Sequence, residues 1–270
     1  LQSTLVNFKY LSKEWKSNCS EERLLGVSLT GIMDNPIMNG SKGKDVLSST
    51  LAELRKVAID TNKEWAEKLD IPQSAAITCV KPSGTVSQLV DSASGRHNPY
   101  YIRTVRADNK DPLCAFMKDA GFPNEADVMK PTHTTVFSFP MKSPEDAVFR
   151  YSMTAIEQME IWKLYQQHWC EHKPSVTISV KEHEWMEVGA WVYENFDGIS
   201  GISFLPFSEH TYRQAPYQDC TEEEYLEALK QMPGDVDWNK LSEYEKEDYT
   251  AGSQELACSA GVCEVVDLVA

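Results

Sequence analysis

The sequence predicts an α/β fold built on a covered sheet or barrel. Three observations carry that prediction. Segments with helical spacing alternate with strand-like segments across short loops. The strand-like runs lack the clean polar face of a half-solvated sheet, so they read as strands covered on both sides. A chain of 270 residues, 41% of them hydrophobic, is long enough to bury a sizeable core. No internal repeat or low-complexity run interrupts the pattern.

Along the chain, Arg23 to Met33 is apolar but broken by glycine, which fits a buried strand or a closely packed helix. Asn35-Pro36 and residues 39–43 mark a loop. Ser49 or Thr50 is placed to cap the next helix, whose apolar stripe is Leu51, Leu54, Val57, Ala58, Trp65 and Leu69 and whose end falls near Asp70, before Pro72. Residues 75–80 are mostly apolar or β-branched and read as a buried strand; Pro82 presets a turn, and a helix opens after it. Residues 91–99 form a loop by composition, and 100–106 alternate as a strand. That alternation brings Arg103 and His97 within reach of a site at that end; alternatively, Arg103 and Arg106 solvate one strand face.

Residues 112–121 suit a short helix, and Thr134 to Phe139 a strand stopped by Pro140. Ser143-Pro144-Glu145-Asp146 has the form of a helix start, and that helix is expected to run to Cys170 with Ile156, Trp162, Leu164, Tyr165 and Trp169 inward. Pro174 introduces a strand over 175–180. Glu182 to Phe196 is a helix with Trp185, Val188, Val192 and Phe196 as its ridge, Ile199 to Pro206 a strand, and Glu222 to Met232 an acidic helix. From Pro233 the chain turns polar, and 254–270 read as a mobile tail. The expected division is therefore an α/β body over 1–232 and an acidic segment with its tail over 233–270.

The net charge of -15 argues against nonspecific nucleic-acid binding, and an anionic ligand needs a local positive or dipolar site to overcome it. Much of the acid is local: from Asp219 to Asp248 eleven acidic residues face only Lys230, Lys240 and Lys246. No apolar run reaches membrane-spanning length, and the N-terminus carries neither a signal peptide nor an initiator Met, so the chain reads as a processed product or a piece of something longer. Seven scattered cysteines, an odd number, suit a reducing, cytoplasmic compartment.

Two stretches carry candidate chemistry. After the strand that ends at Val80 come Lys81-Pro82-Ser83-Gly84-Thr85-Val86-Ser87. Gly84 allows close approach to the backbone, and three hydroxyls cluster at a helix start, where free N–H groups and the dipole attract anions. That is a phosphate-holding turn, or a plain helix cap; it is neither a Walker loop nor a dinucleotide fingerprint. Near the end, Cys258 and Cys263 are separated by four small or flexible residues, so the thiols can meet and exchange disulfides; they can equally be two incidental cysteines. His168, Cys170 and His172 resemble a zinc cluster superficially, but no C-x-x-C accompanies them. Cys79 reads as a small core residue, and Cys19, Cys114, Cys170 and Cys220 as structural.

Taken together, several stretches give the chain a family resemblance. Residues 23–31, the Val80–Ser87 turn, Tyr100 to Arg106, His168 to Thr177, Ala215 to Cys220 and Glu255 to Cys263 resemble the C-terminal portion of an adenosylcobalamin-dependent (class II) ribonucleotide reductase, of the monomeric ribonucleoside-triphosphate reductase type. The resemblance spans nearly the whole chain. It implies roughly the second half of a ten-stranded α/β barrel with a flexible C-terminal tail. It implies that Ser83, Gly84, Thr85, Val86 and Ser87 bind the substrate's phosphates. It further implies that Cys258 and Cys263 form a shuttle dithiol reduced by thioredoxin or a similar reductant, and that adenosylcobalamin is the cofactor. The family's thiyl-radical cysteine, its cysteine-x-glutamate pair and a further early-strand cysteine have no counterpart here, so the missing N-terminal half is an implied partner. The Gly95–His97 loop is shorter than the family pattern and leaves His97 without an assigned role. The competing readings are a non-catalytic acidic interaction module and, behind it, a small zinc-binding protein using His168, Cys170 and His172.

Overall fold

A computed structural model describes residues 2–6, 12–81, 86–90, 92, 95–207 and 212–246. In chain order its helices and strands are α1 (Lys13–Glu22), β1 (Val27–Ser28), α2 (Lys44–Lys68), β2 (Thr78–Cys79), α3 (Val86–Leu89), β3 (Tyr100–Asp108), α4 (Pro112–Asp119), β4 (Asn124–Ala126), β5 (Thr134–Lys142), α5 (Ala155–His168), β6 (Thr177–Val180), α6 (Trp185–Asn195), β7 (Ser203–Pro206), β8 (Tyr217–Asp219), α7 (Glu222–Lys230) and α8 (Leu241–Tyr244). The fold is α/β, and the chain divides into two compact units, Leu1–Arg96 with Pro144–Ser208 and His97–Ser143 with Glu209–Ala270.

The first unit is built on parallel pairs. β1 pairs with β2 (Val27 opposite Thr78), and β6 pairs with β7 (Thr177 opposite Ser203). Between the pairs, Thr78 and Val80 accept hydrogen bonds from His172 and Ser175, so the segment leading into β6 runs alongside β2 in the same direction. Two apolar clusters cover these strands. In one, Ala155, Met159 and Trp162 of α5 meet Ile178 and Val180 of β6 and Val188 and Trp191 of α6. In the other, Leu47 and Leu51 of α2 meet Ile161, Tyr165, Trp169 and Cys170. Each fully buried leucine or isoleucine here contributes about 1.5–3 kcal/mol.

Three of the expected helices are drawn differently in the structure. α2 begins at Lys44 rather than at Ser49 or Thr50. Gly43, at φ 107, lets the chain enter the helix there, and the Ser48 and Ser49 hydroxyls bond back to carbonyls of the preceding turn as interior residues. Of its expected stripe only Leu51 is buried; Leu54, Val57, Trp65 and Leu69 are exposed, and Leu47 and Ala66 take the inner face. α5 starts at Ala155, because Thr154 and Glu157 form a reciprocal capping box. The Ser143-Pro144 signal starts no helix, and the Ser143 hydroxyl donates to the Asn98 carbonyl. In α6, Trp191 rather than Trp185 or Phe196 is the buried aromatic ring.

The second unit is an antiparallel sheet in the order β4-β5-β3-β8. β3 and β5 pair along nine residues, from Tyr100 opposite Lys142 to Asp108 opposite Thr134. β5 therefore runs through Pro140 instead of stopping there. β4 pairs only with Thr135 to Phe137, so at Pro140 the far edge of β5 has no strand that needs its missing N–H. Cys114, Phe116 and Met117 of α4 form the core with Phe122 and Phe137, and Val236, Leu241 and Tyr244 pack on it. Trp238 lies 5.4 Å from the Phe116 ring.

Candidate functional site

β2 is held along its whole length. Upstream, Leu25 and Val27 donate to the carbonyls of Ala76 and Ile77 at 3.0 and 2.9 Å. On the other side, Thr78 is fully buried; its hydroxyl donates to the Trp169 carbonyl, and its own carbonyl accepts from Glu171 and His172. The Trp169 indole donates to the Cys79 carbonyl at 2.7 Å. Glu171 accepts from the Ile77 amide at 2.9 Å while lying 3.6 Å from Arg55. The His172 Nε2–H donates to the Leu25 carbonyl at 2.7 Å. The stretch from 169 to 172 is thus a clamp of polar groups on a two-residue strand, and every buried polar atom in it finds a partner.

Beyond this clamp the chain is aimed off the carboxyl end of a parallel pair, the place where α/β sheets bind ligands. Lys81 donates from its amide to the Ser28 hydroxyl at 3.1 Å, tying the ends of β1 and β2 together. Val86 and Ser87 open α3; Val86 is exposed and Ser87 fully buried, with the Ser87 carbonyl accepting from the Val90 and Ser92 amides. Gly31, at φ 68 past the end of β1, would place a Cβ 3.0 Å from that of Ser92, so the loop after β1 lies against the chain after α3. Ser83, Gly84 and Thr85 lie outside the described residues, as do Cys258 and Cys263.

The thiols near this end are not nucleophiles at neutral pH. Burial pushes the Cys79 thiol up, against the Ser28 hydrogen bond and the Lys81 charge. Burial pushes Cys170 up to about 12, helped by Cys79 beside it. The His172 ring is committed to the Leu25 carbonyl, and the Cys170 thiol is buried and pushed toward its neutral form. Among the described residues no group of three or more His, Cys, Asp or Glu side chains is arranged to hold a metal ion. No helix among them is long and apolar enough to cross a membrane.

In the second unit, Arg103 and Arg106 do not solvate a strand face. The Arg103 guanidinium lies 4.4 Å over the Tyr217 ring and donates to the Pro216 carbonyl. Arg106 pairs with the buried Asp127 at 2.7 Å and donates to the Gln214 carbonyl at 2.9 Å. His97 stacks on Tyr217 at 4.0 Å. Gln214, at φ 60 and 2% exposed, brackets Ala126 and Val128 with both ends of its amide, a role no spacing signal announces.

No family model matches the chain. It is 26% identical over 247 residues to the adenosylcobalamin-dependent ribonucleoside-triphosphate reductase of Lactobacillus gasseri, which covers 81% of this chain and 33% of the relative. It is 30% identical over 220 residues to the enzyme of the same name from Euglena gracilis, covering 79% of this chain and 30% of that one. A probable enzyme of that name from Dictyostelium discoideum is 29% identical and matches 90% of this chain and 32% of its own length. The chain therefore spans about a third of the length of the curated relatives it matches. The crystal structure of a B-12 dependent (class II) ribonucleotide reductase superposes with a TM-score of 0.70 at 21% identity, over 86% of this chain and 36% of that one, so the two share a fold. Over ~80% of its length, this chain is a homologue of the adenosylcobalamin-dependent ribonucleoside-triphosphate reductases.

Proposed function

We propose that this chain is the C-terminal portion of a class II ribonucleotide reductase that converts ribonucleoside triphosphates to 2'-deoxyribonucleotides by thiyl-radical chemistry. In this reading it supplies roughly the second half of the ten-stranded barrel, the substrate-phosphate turn and the reducing tail. The observation that carries it is the clamped β2, whose carboxyl end leads directly into the 81–87 turn in a chain with reductase homologues. Backbone N–H groups over Ser83 to Ser87 grip the phosphates, and Gly84 keeps that approach clear of a side chain. The clamp fixes β2 as far as Val80 and Lys81, upstream of that turn.

The electron balance follows from the reaction. The ribose 2'-hydroxyl leaves as water, and two active-site thiols outside this chain are oxidised to a disulfide. The Cys258–Cys263 dithiol attacks that disulfide by thiol exchange, becomes a disulfide itself, and is re-reduced by a thioredoxin-like dithiol. Adenosylcobalamin initiates the radical in such enzymes. The free buried thiols Cys79, Cys114 and Cys170 fit a reducing cytoplasm.

The test is turnover of the enzyme reconstituted with its N-terminal portion. Replacing both Cys258 and Cys263 by serine abolishes thioredoxin-driven turnover while sparing a single turnover from pre-reduced enzyme. Unimpaired thioredoxin-driven turnover in that variant overturns the shuttle. A Gly84→Leu variant that binds ribonucleotide as tightly as the parent overturns the phosphate turn.

A further inference from the structure

α6 is apolar on two sides. A helix lying on a core normally turns a polar face to water. The inner face of α6 is of the usual kind, with Val188 and Trp191 packed among the side chains of α5 and β6. The outer face is apolar as well. Met186, Gly189, Tyr193 and Phe196 follow at steps of three, four and three residues and so share one line. Met186 is 85% exposed, Tyr193 86%, and Phe196, in the turn after the helix, 70%. A Cβ on Gly189 would meet nothing within 4 Å, so the middle of the line is low and open to a close approach. A helix apolar on both sides is built to be covered on both.

The border of this line is acidic. Glu187 and Glu194, seven residues apart, run beside it and Asp197 follows; all three are exposed, and none enters an ion pair among the described residues. Residues 181–198 carry five carboxylates against one lysine, and the undescribed residues contribute a single lysine, Lys9, and no arginine. At the far end of α6 a cleft of about 240 Å³ is lined by Trp191, Glu194, Asp197 and Lys163, whose ammonium donates to the Asn195 side chain at 2.6 Å. Two carboxylates beside an indole make a seat for an incoming arginine or lysine.

That border decides what can cover the line. A second copy would set the same three carboxylates against one another, and an anionic membrane or nucleic acid is repelled by a chain of net charge -15. A protein helix with an apolar ridge and basic flanks satisfies both the line and its border. About two thirds of the length of each relative has no counterpart in this chain, and that length needs surfaces to pack on.

We propose that the outer face of α6, anchored by Met186, Tyr193 and Phe196 and bordered by Glu187, Glu194 and Asp197, docks a basic amphipathic helix from the remainder of the reductase. The inference rests on the reading of this chain as one portion of such an enzyme.

Sedimentation of the full 270-residue chain with the enzyme's N-terminal portion tests it. The M186D/Y193D variant binds that portion about tenfold or more weakly, because exposed aromatic and Met anchors carry most of such an interface. E187K/E194K binds about threefold or more weakly, and E187D/E194D, which keeps both charges, binds as the parent does. Thermal melts of each variant separate a lost contact from a lost fold. Should M186D/Y193D fail to fold, Tyr193→Ser alone carries the test with a loss of about threefold. Parent-strength binding by both M186D/Y193D and E187K/E194K overturns the surface and leaves the reductase reading in place. Weakening by M186D/Y193D alone overturns the basic partner. A parent chain that neither binds the N-terminal portion nor restores nucleotide reduction to it overturns the reductase reading and this surface together. A dimer of the chain alone that Tyr193→Ser dissolves assigns the face to a second copy and overturns the inference.

Discussion

Among the described residues of the first unit the longest paired strand has four residues, all pairing is parallel, and much of the grip on β2 comes from side chains and backbone of the 169–172 segment. In the second unit a nine-residue antiparallel ladder joins β3 to β5, and side chains such as Arg106, Asp127 and Gln214 only pin its edges. The contrast has a functional meaning. Parallel strands send all their carboxyl ends one way, so the loops after β1, β2, β6 and β7 can gather into a ligand-binding rim. An antiparallel ladder alternates its ends and serves better as a frame. The short parallel strands cannot hold themselves by ladder bonds alone, which is why a fully buried threonine, an indole and a carboxylate are recruited to hold β2.

That contrast can be broken most strongly at Trp169. Trp169→Ala removes a ring that is 2% exposed and its hydrogen bond to the Cys79 carbonyl, and costs the first unit about 3–5 kcal/mol. Urea denaturation followed by hydrogen exchange should show the loss in peptides of the first unit while the β3–β5 ladder keeps its protection; equal loss in both units contradicts the division. The next largest effect is in the other unit. Asp127→Asn breaks the pair with Arg106, which is partly open to solvent, and costs about 2–4 kcal/mol.

The same carboxylate sets an acid limit. Burial raises the Asp127 pKa, but the Arg106 hydrogen bond and the amides of Lys130 and Met129 outweigh it, leaving it below its ordinary 3.8. A depressed folded value means the contribution is complete above about pH 3.8 and disappears as pH falls through the lower folded value. Protection of the antiparallel unit should therefore weaken below about pH 4 in the parent and show a flatter acid limb in Asp127→Asn.

A smaller loss is expected at Gly40, whose φ is 84 and whose Cβ would fall 2.6 Å from the end of Ile161. Gly40→Ala should lower the stability of the first unit by about 1–3 kcal/mol, measured by its urea midpoint. The smallest effect is at Lys56, paired with Asp60 on the open face of α2; Lys56→Gln should leave that midpoint where it is.

Much of this architecture was legible from spacing alone. The strands at 100–108 and 177–180 and the helix at 112–119 follow from alternation, a proline at the first helical turn and apolar periodicity. Where the reading failed, a local signal lost to tertiary context. Ser143-Pro144-Glu145 carries every mark of a helix start, yet its serine is used by Asn98 and the capping box eleven residues later wins. Leu54, Val57 and Trp65 keep helical spacing on a face that the described residues leave exposed, so periodicity marked them as core. The Pro-Ser-Gly-Thr stretch after β2 was marked as a turn by composition, and it lies outside the described residues. The clamp behind it was not visible, because Trp169, Glu171 and His172 reach β2 across some ninety residues of sequence, a separation no local pattern encodes.

The central claim is that the turn following β2 grips the charged end of a nucleotide. Hydrogen exchange of the peptide covering 80–90 in the reconstituted enzyme, with and without a saturating ribonucleoside triphosphate, tests it most directly. The account predicts slowed exchange at the amides of 83–87 on nucleotide addition, abolished by Gly84→Leu. Unchanged exchange there, with slowing elsewhere proving that the nucleotide is bound, would contradict it.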